Sequence, residues 1–343
     1  MKRALLGLLL LTATHQASAI SIVIDYSYDT GNFFSSHAGA SAALERAALD
    51  VSNVITSSLG ALSPSTLTYT GTNGETSATV NWSLSFKNPT TDANVALGSF
   101  SSGANEYRIF VGARNLAGST LGLGGSSGAG FSLSGGGDPN EWEGAVAQMQ
   151  NASNAVMSRG DGPLVGVING NRALGTSNSS YSLQFGLLAG TLSFNSTTSW
   201  HFDHTTAVGE GLFDFYSVAL HEILHSVGFG GSFSWEQNHS GTNWLGANGV
   251  AAHQGGGVNL LSEGEDHVAS GIYSEVFMNG PLQESSVSPS IGAGERRFLT
   301  ELDVAMLDDL GFSVSAIPEP STSVFCVIAC GSGLMLASRR RRR

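Results

Sequence analysis

The sequence predicts an α+β fold: a twisted mixed β-sheet, a histidine-bearing helix set against it, and a mostly irregular C-terminal half that ends in a helix. Three observations predict it. Strand-like runs with alternating or β-branched residues are concentrated before residue 196, an apolar helical pattern covers 214–228, and Gly- and Asn-rich sequence then runs on to a second helical pattern at 296–310.

Residues 21–28, SIVIDYSY, alternate apolar with small or polar side chains and predict the first strand. In 41–55, Ala43, Leu44, Ala47, Ala48, Val51 and Val54 recur at helical spacing behind Ser41, a residue able to cap. Residues 67–69, 77–86 and 107–113 are Thr-, Val- and aromatic-rich, and are expected to join the same sheet. From 116 to 137 the chain is almost all Gly, Ser, Ala and Leu. No Lys-Ser/Thr pair ends it and no helix follows at once, so it is neither a P-loop nor a dinucleotide fingerprint, and it is expected to form a mobile surface loop. Asp138-Pro139 opens a helix reaching Met157, with proline in the first turn. Residues 180–188 and 190–195 suggest a strand pair, one member of which is expected to be an edge able to hold an extended peptide. The last helix, 296–310, is amphipathic, with Phe298, Leu299, Leu302, Ala305, Met306, Leu307 and Leu310 apolar and Asp303, Asp308 and Asp309 on its solvated face.

Chemistry concentrates in DFYSVALHEILHSVG, residues 214–228. His221 and His225 stand four apart, on one helical face, with Glu222 beside them. Two neutral imidazoles aimed at one point make most of an open zinc site, and the adjacent carboxylate can take a proton from a water held there. Phe215, Val218, Leu220, Ile223, Leu224 and Val227 cover the remaining faces, so the helix belongs to the core. Gly228 suits a left-handed exit from the helix. The position that carries the third ligand in short-spaced HExxHxxG sites is Gly231, which has no side chain. A third ligand must therefore come from farther on, with His239, His253, His267, Glu236, Glu263 and Glu275 as candidates. His267 is distinguished by Met278 eleven residues later, followed by Asn279, Gly280 and Pro281, turn formers that would place a thioether beneath the metal.

HEILHSVGF, a long insertion, and a histidine eleven residues before a methionine turn together resemble the leishmanolysin-type metzincin zinc proteases, over about residues 205–312. The resemblance implies His221, His225 and His267 as ligands of one catalytic Zn2+, Glu222 as general base, Met278 as the Met-turn residue, and protein or peptide as substrate. It divides residues 20–315 into an N-terminal subdomain, 20–228, and a C-terminal one, 229–315; the insertion's Gly-, Asn- and Trp-rich composition reads as a loop folded over one side of the cleft, and the 116–137 loop is expected near it. The chain departs from leishmanolysin proper in lacking its many cysteines. Two rivals stand beside this reading: a silent surface or matrix binding protein on the same fold, which the intact Glu222 argues against, and a gluzincin with Glu263 or Glu275 as third ligand. His201, Asp203 and His204 admit a second metal site but read better as surface residues at a strand end, and His37, His239 and His253 are assigned to loops.

The termini carry sorting signals. Lys2 and Arg3, an apolar run, and Ala17-Ser18-Ala19 predict a signal peptide over 1–19, with strand-like sequence so close behind that no pro-segment is expected. Residues 316–343 hold Pro318-Glu319-Pro320, an apolar stretch and five terminal arginines, which resembles the PEP-CTERM tail of Gram-negative bacteria. That resemblance implies transient inner-membrane anchoring, a membrane sorting enzyme as partner, and release to the cell surface or extracellular matrix. Cys326 and Cys330 both lie in this tail, so residues 20–315 contain no cysteine. The chain has 15 basic and 27 acidic residues; without Lys2, Arg3 and the arginines at 339–343 the basic count is 8, and without Glu319 the acidic count is 26, giving residues 20–315 a net charge near −18. Such a surface disfavours nucleic acid and anionic membranes, leaving the tail as the expected membrane contact, and it suits calcium or cationic peptides.

Overall fold

Strand β1 (Ser21–Asp25) runs into a single 3-10 turn, a short helix α1 (Phe33–Ser36), and helix α2 (Ala40–Val54). The computed structural model describes residues 20–63, 66–70, 74–253, 256–257 and 259–315, so the expected signal peptide and sorting tail lie outside the described residues. Among the described residues, no helix is long and apolar enough to cross a membrane. After α2 come β2 (Thr66–Thr70), β3 (Ser77–Lys87), β4 (Asn94–Leu97), β5 (Glu106–Arg114), β6 (Gly122–Ser126), β7 (Gly128–Gly136), α3 (Trp142–Met157), β8 (Gly166–Leu174), β9 (Ser177–Phe185) and β10 (Gly190–Asn195). The chain then forms the short parallel pair β11 (Trp200–His201) and β12 (Phe213–Asp214), and enters helix α4 (Phe215–Ser226).

The fold is α+β, with its strands divided between sheets. The main sheet has the order β1-β5-β10-β6, in which the first three strands are parallel and β6 is an antiparallel edge. Tyr107, Ile109, Val111, Leu192 and Phe194 are buried on the face that receives α2 and α4. The buried face of α2 is made largely of Ala40, Ala43, Ala47 and Ala48, small side chains that let α4 lie close. A second, antiparallel sheet has β3 at its centre, paired with β2, β4 and β7, and α3 covers it through Trp142, Val146 and Met149.

Several expected pairings are corrected here. Residues 67–69 and 77–86 do not share a sheet with 107–113, and 180–188 belongs to a hairpin with 166–174, while 190–195 lies between β5 and β6. Burial explains the separation: Leu192 and Phe194 are wholly buried under the helices, whereas the Ser- and Asn-rich part of β9 is suited to a half-exposed ribbon. The 116–137 segment is not a mobile loop; it supplies β6 and β7. Its glycines mark close approach: a Cβ at Gly135 would stand 2.5 Å from the Trp142 ring, and one at Gly124 would stand 2.2 Å from the backbone oxygen of Glu222.

Helix boundaries also shift. Gly39, at φ 90°, precedes α2 and leaves Ser41 inside the helix, and Pro139 lies in the turn before α3. The last helix, numbered α7 below, starts only at Glu301, because Thr300 and Asp303 form a reciprocal capping box. Asp303 is therefore fully buried and not on a solvated face.

One cation ties the two halves of the sheet region together. Arg159, 1 % exposed, donates from Nε to Gly60 O at 2.8 Å, from Nη1 to Leu187 O at 2.9 Å, and from Nη2 to Gly103 O and Glu106 O at 3.2 and 2.9 Å. Burial pulls its pKa down to about 10, which leaves it charged at neutral pH. Arg159→Met should strip donors from four backbone carbonyls and cost at least about 3 kcal/mol in urea unfolding. A loss below about 1 kcal/mol would show that the guanidinium is not a structural keystone.

Candidate metal centre and its cleft

Helix α4 is fixed at its start before it presents anything. The Asp214 carboxylate, fully buried, accepts from Ser217 N at 3.1 Å and from Ser217 Oγ at 2.6 Å, and the Arg296 guanidinium grips it from the other side at 2.7 and 3.0 Å. At the far end the Tyr107 hydroxyl donates to Ser226 O. Gly228, at φ 122°, turns the chain out of the helix. Gly230, at φ 72°, passes so near the next segment that a Cβ would stand 2.4 Å from Asp266 O.

The insertion that follows is more than a loop over the cleft. It forms α5 (Phe233–Gln237), the two-residue pair β13 (His239–Ser240) and β14 (Asn243–Trp244), and α6 (Ala247–Ala252). Trp235 and Trp244 are almost wholly buried, 4.8 Å apart ring to ring, and Phe229 packs against the first at a tilt of 43°. Trp235 Nε1 donates to Glu265 O at 2.7 Å, and Trp244 Nε1 donates to Asp309 at the end of α7 (Glu301–Asp309). Burial of two indoles thus holds residue 265, and with it the neighbouring Asp266 and His267.

The three imidazoles meet at their Nε2 atoms: His225 lies 3.0 Å from His221 and 3.1 Å from His267. Each Nδ1 faces an acceptor on a separate segment: Ser286 O for His221 at 2.8 Å, Phe229 O for His225 at 3.1 Å, and Asp266 Oδ1 for His267 at 2.8 Å. With Nδ1 donating outward, every Nε2 presents a lone pair inward. Three such lone pairs cannot satisfy one another, but they suit a cation. A tetrahedral ion with metal–nitrogen bonds of about 2.0–2.1 Å needs its ligand nitrogens about 3.4 Å apart, close to the spacing found. Among the described residues these three histidines are the one group of three or more His, Cys, Asp or Glu side chains able to hold a metal ion. Burial, followed by the other two imidazoles, pushes the His221 pKa well below its usual value, and burial followed by His267 lowers that of His225 to about 4. Both are thereby kept in the neutral, metal-binding form. At Asp266 burial acts upward, but the hydrogen bond and charge of His267 outweigh it and hold the carboxyl below its ordinary range.

The floor under His221 is the turn through Ser285 and Ser286. Buried Asp303 accepts from Ser285 Oγ at 2.6 Å and Ser286 N at 3.1 Å, so the cap of α7 also fixes the carbonyl that orients His221. Met278 does not take that place, which corrects the Met-turn expectation. It sits at φ 74° in the turn between β15 (Tyr273–Glu275) and β16 (Leu282–Glu284), is 63 % exposed, and is not among the cleft-lining residues. The hairpin bonds Gly280 N to Val276 O and Val276 N to Pro281 O, and the left-handed tip directs the thioether to solvent.

Glu222 is 5 % exposed and lies against β6, where a Cβ on Gly122 would be 2.5 Å from its Oε1. Burial lifts its pKa to about 8, and the Gly124 N–H partly opposes the rise. A neighbouring cation would oppose it further. The histidines and Glu222 line a cleft of about 690 Å³, walled by residues 119–126 on one side and by Ser286, Ser288 and Pro289 on the other. The edge of the main sheet at this cleft is β6, and not either strand of the expected 180–195 pair.

The other candidates stay apart. His239 packs beside Trp235 with Glu236 at 3.5 Å, and His253 ends α6. Glu236, Glu263 and Glu275 do not join the cluster, and neither do His201, Asp203 and His204; Asp203 instead caps Thr205, while its backbone oxygen accepts from Arg296. The acidic surface expected to suit calcium forms no second such group among the described residues. Sequence reasoning took the β6 segment for a loop and Asp303 for a solvated residue, and it did not reach Ser286. For Asp266 the adjacent Asp-His pair was a usable signal, since a carboxylate next to a ligand commonly fixes its tautomer. Comparison with known protein families, curated proteins and solved structures finds no match to this chain. Asp266→Asn should preserve the fold and weaken metal binding about tenfold by competition with a chromogenic chelator; unchanged affinity would remove Asp266 from the site.

Proposed function

We propose that the protein is an exported zinc-dependent endopeptidase with a metzincin-like architecture of the leishmanolysin type. The observation that carries this reading is the convergence of His221, His225 and His267 beside a buried Glu222 at the base of an open cleft. An HExxH helix exited through a left-handed glycine and an antiparallel edge strand above the cleft support the same reading. So does the donor set: three neutral nitrogens with a free approach from the cleft suit a catalytic zinc better than calcium or magnesium, which take oxygen ligands. The exposed position of Met278 departs from the pattern, and the Ser285–Ser286 turn takes over the support of His221.

Zinc held by the three imidazoles would polarise a peptide carbonyl and make water acidic enough to attack it at neutral pH. The rest is the work of this chain. Glu222 takes the proton from the attacking water and delivers it to the leaving amine. Gly124 N–H holds that carboxylate in place, and the absent side chain at Gly122 leaves room for it. The free edge of β6 offers backbone donors and acceptors to an extended peptide and so sets the scissile bond over the metal. Export through a signal peptide at 1–19, and surface delivery by a membrane enzyme acting on the PEP-CTERM-like tail at 316–343, complete the proposal.

Glu222→Gln should keep its metal and fold while peptide cleavage falls by roughly 10²–10⁴-fold. Full activity in that variant would eliminate Glu222 as the base.

A further inference from the structure

On the face of the main sheet opposite α2 and α4 lies a second cavity, of about 580 Å³. Its floor is built from Arg114 of β5, Thr191 and Ser193 of β10, and Leu123 and Gly125 of β6; its wall is the end of β3 and the start of β4, with Lys87 and Asn94. Residues 123–126 line both this cavity and the metal cleft, so β6 is a partition between them. The partition is low: neither Gly124 nor Gly125 carries a side chain, and a Cβ at Gly125 would meet nothing within 4 Å.

Two cations, Lys87 and Arg114, and one carboxylate, Asp92, line this cavity, a positive balance in an otherwise acidic chain. Of the eight cations in residues 20–315, Arg46, Arg108, Arg114, Arg296 and Arg297 are in ion pairs, Arg159 is spent on backbone carbonyls, and Arg172 lies on β8 away from this cavity. Lys87, the sole lysine of 20–315, makes no ion pair among the described residues and borders the cavity. Arg114 spends one Nη2 on Asp92 at 3.0 Å, yet its buried Nε has no hydrogen-bond acceptor. Lys87 and Arg114 line the same cavity, and the one hydrogen bond Arg114 makes, from Nη2, leaves other guanidinium donors with which an incoming anion can pair.

A peptide lying along the free edge of β6 projects alternate side chains to the two faces of the sheet. Those on the α4 side enter the metal cleft, and those on the side of Leu123 and Gly125 overhang this cavity. We infer that the cavity over β5, β10 and β6 is a specificity subsite for a carboxylate of the bound peptide, with Lys87 and Arg114 as its cationic determinants. The inference rests on the endopeptidase reading for its direction along β6, but it concerns binding and not the cleavage step. It makes the substrate an acidic peptide segment, selected locally against the general repulsion of an acidic protein.

The test compares paired fluorescent peptides that differ only by Glu or Gln at one position, scanned along the peptide, each with a free and an amidated C-terminus. In the wild type one Glu position should raise kcat/KM about tenfold over Gln, mainly through KM. The ratio should fall toward one in Lys87→Gln and in Arg114→Gln, and Lys87→Glu should shift the preference to Lys at that position. A preference that follows the side chain in amidated peptides identifies an acidic residue as the ligand, and one that follows the free terminus identifies the substrate's chain end; either keeps the subsite. No acid preference in the wild type, or a preference that survives all three variants, overturns it. Fluorescence anisotropy with the same peptides separates the two proposals. Charge-dependent binding without any cleavage would retain the subsite and reject the protease, while cleavage without charge dependence would do the reverse.

Discussion

Three imidazole lone pairs pointing at one another across about 3 Å constrain most of what surrounds them. Left alone they repel, so each ring must be held by an acceptor at its other nitrogen, and each acceptor must itself be fixed. The molecule does this from three directions. The left-handed turn after α4 brings back Phe229 O, the indole-packed insertion delivers Asp266, and the Asp303 cap of α7 holds the Ser286 turn. Asp303 accepts from Thr300, Ser285 and Ser286 at once, and breaking that cap would release both the last helix and the carbonyl under His221.

The second constraint is the contact between β6 and α4. A strand that must lie against a helix backbone cannot carry side chains on that face, which is why Gly122 and Gly124 alternate there. The closeness buries Glu222, supplies it with the Gly124 N–H, and lowers the partition between the metal cleft and the cavity beyond it. Composition at one strand thus governs the burial of Glu222, the free sheet edge at the cleft and the partition toward Lys87 and Arg114.

Legibility in the sequence followed the range of the physics involved. The α4 helix was readable because its apolar periodicity and its two histidines are local, and His267 stood out by its spacing from a turn rich in Asn, Gly and Pro. That same spacing misdirected the reading of Met278, since turn formers fix a reversal of the chain but not which way its tip faces. The glycine run at 116–137 read as a loop because its reason for being a strand, the backbone of α4, lies about a hundred residues away. Strand partners failed likewise: 190–195 looks like a neighbour of 180–188 in sequence, but Leu192 and Phe194 need the cover of α4. Asp303 read as solvated because helical periodicity does not reveal a capping box at an unexpected start.

The central claim is a zinc site closed by a distant third histidine. Elemental analysis of the purified protein beside His267→Ala measures it most directly, with circular dichroism to verify that the variant is folded. One zinc per chain in the wild type and a near-complete loss in the folded variant is the predicted result. Zinc retained by His267→Ala would assign the third ligand elsewhere, and a wild type that binds no zinc would contradict the account altogether.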